Sequence, residues 1–145
     1  MSARNYDVVV LGGGSGGLAA AFRAASYGAK VAMLEPAPLG GTCVNVGCVP
    51  KKAMWLAADL AERIGLARRM GFDVPAEPGL AWSTLLERRQ QYITNIHSSY
   101  QKRLDETGVV RISNRGHLID ARTVECEDGT QFRAEHIVIA TGAHP

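Results

Sequence analysis

Gly12, Gly14 and Gly17 form a G-x-G-x-x-G pattern between a β-branched run, YDVVVL at residues 6–11, and an alanine-rich stretch at 18–27. No other feature restricts the fold as tightly, because the pattern acts only with a strand leading in and a helix leading out. The first glycine allows the tight turn, the second lets backbone approach a pyrophosphate, and the third brings helix and strand together. The run before it reads as a strand buried on both faces. The stretch after it reads as a helix stopped by Gly28, whose start attracts phosphate charge. Residues 30–35, KVAMLE, supply a second strand, completing a βαβ unit with a right-handed crossover. Glu35 closes that strand 18 positions after Gly17, where a carboxylate accepts bonds from ribose hydroxyls. The same carboxylate would repel a 2′-phosphate, so the pocket is expected to hold FAD or NAD and not NADP. The motif does not choose between those two.

Beyond this unit, residues 50–70 read as a helix. Met54, Ala57, Ala58, Ala61 and Ile64 mark an apolar face that Trp55, Leu56, Leu60 and Leu66 widen, so burial between layers is expected. Residues 71–80, with Pro75, Pro78 and Gly79, read as a loop. A second long helix covers 82–106 and ends at Thr107 and Gly108. Short strands follow at 109–112, 123–126 and 131–134, with a hairpin signal at 127–130. The run HIVIA at 136–140 is another buried strand, followed by Thr141 and Gly142. The pattern predicts an α/β fold: a Rossmann-type three-layer FAD/NAD(P)-binding domain with a small antiparallel β-meander, filling residues 1–145. At 145 residues, 46% hydrophobic and 21% charged, the chain is sized for one soluble globular domain. A formal charge of +2, evenly spread, argues against nucleic-acid or anionic-membrane partners. The apolar stretch 8–11 follows Asp7 and is broken by glycines, unlike an export signal, and no run approaches the ~20 apolar residues of a membrane span.

Cys43 and Cys48 lie among glycines, ahead of Pro50 and Lys51. Three readings are open. A zinc site needs about four ligands, and His97 and Cys126 are distant in sequence, so no metal is expected. Two buried packing cysteines are possible in principle, but flanking glycines and a proline make a poor packing segment. A redox pair fits best: four intervening residues can bring the sulfurs to ~2 Å with Cα atoms ~5.5 Å apart. Cys48 sits at the start of the following helix, where the dipole and Lys51 favour a thiolate. Cys126, on a strand, reads as structural. Three cysteines in a chain without an export signal suggest a reducing, cytoplasmic setting.

GGGSGG at 12–17, GGTCVNVGCVPKKAMW at 40–55 and IATG at 139–142 together resemble the glutathione-reductase group of flavin-dependent disulfide oxidoreductases, in family order. The pair Lys51-Lys52 followed by Met54-Trp55 is closer to that group than to dihydrolipoamide dehydrogenases. The resemblance implies FAD bound across the βαβ turn. Cys48 would be the sulfur facing the flavin, Cys43 the interchange sulfur that attacks the substrate disulfide, and Lys51 the residue beside the flavin N5. Gly12, Gly14, Ser15, Gly16, Gly17, Glu35, Gly41, Thr42, Cys43, Lys51, Leu118 (through its backbone), Thr141 and Gly142 match cofactor-binding positions. Ser15, Tyr92 and Tyr100 match substrate contacts, although tyrosines eight residues apart on a helix can equally be packing. The implied reaction of a complete enzyme is NADPH-dependent reduction of glutathione disulfide by a homodimer. Related readings are a trypanothione, thioredoxin or mercuric ion reductase, and a non-catalytic FAD-binding fragment belongs to a different class. Phe22 departs from the pattern, since it falls where the group often presents a polar or basic residue to a glutathione carboxylate. Arg23 projects about 100° away on a helix and is no sure replacement. The chain has no second nucleotide fingerprint, and His144 only follows the IATG crossover, so it is not the family's catalytic histidine. The chain is therefore expected to be the first part of such an enzyme. Alone, it should lack NADPH-driven turnover and hold FAD weakly.

Overall fold

The computed structural model describes residues 3–75 and 79–143. Parts of three expectations, those for Pro78, His144 and Pro145, fall outside the described residues. The elements run β1 (Arg4–Leu11), α1 (Ser15–Ser26), β2 (Val31–Leu34), α2 (Gly41–Asn45), α3 (Cys48–Arg69), α4 (Trp82–Thr107), β3 (Val110–Ile112), β4 (Gly116–Asp120), β5 (Thr123–Cys126) and β6 (Gln131–Ile139). They build one six-stranded sheet in the order β3-β2-β1-β6-β5-β4. The first four strands are parallel, and β5 and β4 add antiparallel to β6.

Successive side chains of a strand point to opposite faces, and both faces of β1 and β2 are covered. Val10, Val31 and Met33 point to one side, where Leu18, Ala21 and Phe22 of α1 and Leu104 of α4 bury them. Val9, Leu11, Ala32 and Leu34 point to the other, against Val124, Cys126, Phe132 and Ala134 of the β5–β6 arm. That double cover explains the unbroken apolar runs at 8–11 and 31–34. The arm curls over the second face because Gly116 has no side chain. A Cβ there would lie 2.5 Å from Leu34 Cδ2 and 2.7 Å from Val124 Cγ1. Helices, parallel sheet and meander thus make the three layers, and Cys126 is core.

Four details differ from the sequence pattern. Runs 131–134 and 136–140 fuse into one strand, β6, which pairs with β1 along its length and with β5 at its first half. β3 joins the parallel sheet beside β2. β4 has no counterpart in the sequence reading, because four of its five residues are exposed and GHLID carries no clean alternation. The apolar face of α3 is the largest correction. No residue of α3 is buried, and Trp55 and Leu60 are 53% and 58% exposed. The helix packs chiefly on α2 and α4, and no layer covers its other side among the described residues.

The first turn of α1 offers a paired test of this packing. A Cβ on Gly17 would collide with the Gly12 carbonyl oxygen, a backbone atom that cannot rotate away, whereas one on Gly16 meets nothing within 4 Å. Gly17→Ala should therefore destabilise by about 2 kcal/mol or more and lower Tm by roughly 4 °C or more. Gly16→Ala should be neutral or stabilising by up to about 1 kcal/mol. Thermal melts of the two variants check both.

Candidate functional site

Strand β1 hands the chain to α1 through a turn that only glycine can make. Gly12 has φ +105°, and a Cβ there would strike the carbonyl oxygen of Ala140 just beyond β6. Its N–H donates to the Leu34 carbonyl at 2.8 Å. Gly17 brings the helix down on Gly12, and Gly14 lies against Gly41, whose Cβ would fall 2.8 Å from the Gly14 Cα. Gly13 was missed by the sequence reading, its only signal being that it completes a run of three glycines. It is buried, its N–H donates to Glu35 Oε2 at 2.7 Å, and a Cβ would fall 2.8 Å from Glu35 Cγ. Glu35 Oε1 accepts from the Ala37 N–H at 2.8 Å. The carboxylate is thus first a staple between the turn and the end of β2, with a second lone pair left on each oxygen for a ligand. No side chain caps the start of α1, so its leading N–H groups stay free, as an anion site requires.

The loop after β2 crosses back over this turn. The Gly40 N–H donates to the Gly13 carbonyl at 2.8 Å, and Gly40 takes φ +99° with Val44 packed where a side chain would be. Cys43 sits half-buried in α2, and Cys48 is the exposed first residue of α3. Both are free thiols, close enough for Cys48 to act on the Cys43 thiol. The neighbouring Cys48 thiol is the main cause holding the Cys43 thiol above its ordinary value of 9.0, and desolvation adds to the rise. Lys51 stands exposed on the first turn of α3, its N–H donating to the Gly47 carbonyl at 3.0 Å. Lys52 lies over the Trp55 ring at 3.7 Å. Asn45 and His97 were also missed. Asn45 Nδ2 donates to the carbonyls of Pro38, Leu39 and Gly41, and its Oδ1 meets His97 Nε2 at 2.7 Å. The third cysteine stands apart: burial pushes the Cys126 thiol up, helped by the carboxylates of Asp128 and Glu127.

Turn and loop enclose a cleft of about 620 Å³ at the carboxyl ends of β1 and β2. Gly12 and Glu35 wall one side, Gly41, Thr42, Asn45 and Val46 the second, and Asn114 to Gly116 with Thr141 the third. Leu118, two residues further along, is 43% exposed and does not line it. Ser15 and Gly16 are exposed at the start of α1, and Gly142 follows Thr141 with φ +76°. The two tyrosines separate: Tyr92 is 58% exposed, while Tyr100 packs half-buried on the first core. Phe22 is no substrate-facing residue. It is buried, 7% exposed, with the Arg103 guanidinium 4.4 Å from its ring centre, so it cannot bear on substrate choice from that position. Arg23 points outward, over Tyr27 at 5.1 Å. Among the described residues no three His, Cys, Asp or Glu side chains converge as a metal set would.

This arrangement can be set beside known proteins. The chain is 42% identical to a protein named glutathione reductase from Schizosaccharomyces pombe over 97% of its own length and 32% of that protein's. It is 42% identical to one from Yarrowia lipolytica (97% and 33%) and 38% identical to one from Debaryomyces hansenii (97% and 32%). The chain spans about a third of the length of the curated relatives it matches. The fold is an α/β fold of the Rossmann, FAD-binding type. Residues 6–145 match the family described as pyridine nucleotide-disulphide oxidoreductase, and the chain belongs to that family.

Proposed function

We propose that the chain binds FAD in the cleft and works as the dithiol-bearing part of a flavin-dependent disulfide reductase, with NADPH as electron source and glutathione disulfide as substrate. One observation carries this reading: a single cleft is walled on one side by the nucleotide-binding turn and Glu35, and on another by the helix that holds Cys43. The residues fit the cofactor. Backbone replaces side chain at Gly12 and Gly41, the uncapped start of α1 offers the N–H groups of Ser15, Gly16 and Gly17 to a pyrophosphate, and Glu35 offers lone pairs to a ribose. Thr42, Thr141 and Gly116 complete the walls, while Gly14, Ser15, Gly16, Gly17, Cys43, Cys48, Lys51, Leu118 and Gly142 stand outside the lining. When bound, FAD would supply two-electron transfer between NADPH and the cysteine pair.

The chain's own part is thiol chemistry. Cys43 attacks one sulfur of the substrate disulfide and releases one thiol. Cys48 then displaces the second thiol and closes the Cys43–Cys48 bond, so two S–H bonds are lost and the substrate gains two protons and two electrons. Glutathione disulfide is supported by the names of the relatives. A homodimer and a cytoplasmic setting belong to the same proposal, and no helix here is long and apolar enough to cross a membrane among the described residues.

Three outcomes are expected. Cys43→Ser and Cys48→Ser should each lower glutathione disulfide turnover of the full-length protein by at least about 1,000-fold, with FAD retained, because removing a covalent participant removes the route itself. Steady-state assays and flavin absorbance check this. Glu35→Gln exchanges a charged acceptor for a neutral one at two backbone N–H groups and should weaken FAD binding by about tenfold, read by flavin fluorescence titration. The raised Cys43 pKa means less thiolate at neutral pH and an alkylation rate that climbs until pH passes that raised value. Cys48→Ala removes the main cause, so the midpoint of Cys43 alkylation should move to lower pH, measured by iodoacetamide labelling across pH.

A further inference from the structure

Asn45 lies between the two cysteines in sequence, as the last residue of α2. Its side-chain nitrogen donates at 3.1 Å to the Pro38 carbonyl, 3.2 Å to Leu39 and 2.9 Å to Gly41. Carbonyl oxygens only accept, so the network fixes which end of the amide is nitrogen. The opposite end, Oδ1, also only accepts, and His97 Nε2 stands 2.7 Å from it. That nitrogen must therefore carry the hydrogen, which assigns the His97 tautomer. Of the side-chain hydrogen bonds in the described residues, this one ties the cysteine loop to α4. The loop needs such a tie. A five-residue helix does not hold itself together, and α2 has no side-chain cap at its start. α4, by contrast, is 26 residues long and anchored in the first core through Leu104.

We propose that His97 is a positioning residue for the dithiol: through Asn45 it holds the Cys43 helix where the two sulfurs meet, and so raises the effective concentration of one thiol at the other. The inference rests on the redox reading above. Losing the clamp lets α2 drift, so closing the disulfide becomes less favourable.

The test is equilibration of the full chain with reduced and oxidised dithiothreitol, followed by alkylation and mass counting of free thiols. In that exchange Cys43 and Cys48 lose two S–H bonds and gain one S–S bond, and two electrons and two protons pass to oxidised dithiothreitol. His97→Leu should shift the equilibrium toward the dithiol by about three- to tenfold, the range of a single hydrogen bond, and Asn45→Ala, which also removes the bonds to the Pro38, Leu39 and Gly41 carbonyls, by at least as much. His97→Leu should add nothing in an Asn45→Ala background, because His97 acts through Asn45. His97→Gln, which keeps an N–H donor, should stay within about twofold of the unmodified chain. The clamp is overturned by unshifted constants, by a shift toward the disulfide, by additive effects in the double variant, or by a His97→Gln shift as large as that of His97→Leu. Should His97→Leu lose cooperative melting, His97→Ala, which removes the same hydrogen bond and keeps a good helix former in α4, decides between these outcomes. Unmodified cysteines that never pair across the titration would overturn the redox reading, and the clamp with it. A normal pair with unshifted variants would overturn the clamp alone.

Discussion

The structure depends on a contact between two stretches of backbone. Gly40 donates to the Gly13 carbonyl, and Gly41 lies against Gly14 with no room for a side chain on Gly41. This joins the turn that faces a nucleotide to the loop that carries a thiol. With a Cβ at Gly41 the loop would be displaced from the turn, and the cleft would lose its second wall. The energy of one such hydrogen bond is modest, about 1 kcal/mol. Its importance is geometric, since it places two chemistries within one cavity.

The α/β class, the βαβ unit and the two long helices were legible because their signals are local: β-branched runs, a glycine turn, helical spacing and a terminating Gly108. What escaped was tertiary. Asn45 and His97 are 52 positions apart and ordinary in their own segments, and only the packing of α4 on α2 unites them. Gly13 and Gly116 are needed for the side chains they meet, Glu35 and Leu34, which no run of sequence announces. Phe22 misled in the opposite way. Family likeness marked it as a departure at a substrate-facing position, whereas it packs in the first core beside Arg103.

The helical hairpin of α3 and α4 shows where sequence pattern and structure part company for a physical reason. The apolar stripe of α3 is present, with Trp55, Leu56 and Leu60 more than half exposed. Periodicity reports that a helix has a face to bury, yet it carries no information about what lies opposite.

Strand β6 has a consequence for how the molecule comes into being. Arg4 pairs with Phe132 and Leu11 with Ile139, so β1 finds one of its two neighbours only more than 120 positions later in the chain. Pairings of such sequence separation are entropically slow to form. Gly12 then closes against Ala140, just beyond β6. The nucleotide pocket therefore cannot be complete when β1, α1 and β2 alone have been made. It matures in a late step, when β6 slots between β1 and β5, and nucleotide affinity arises together with completion of the sheet.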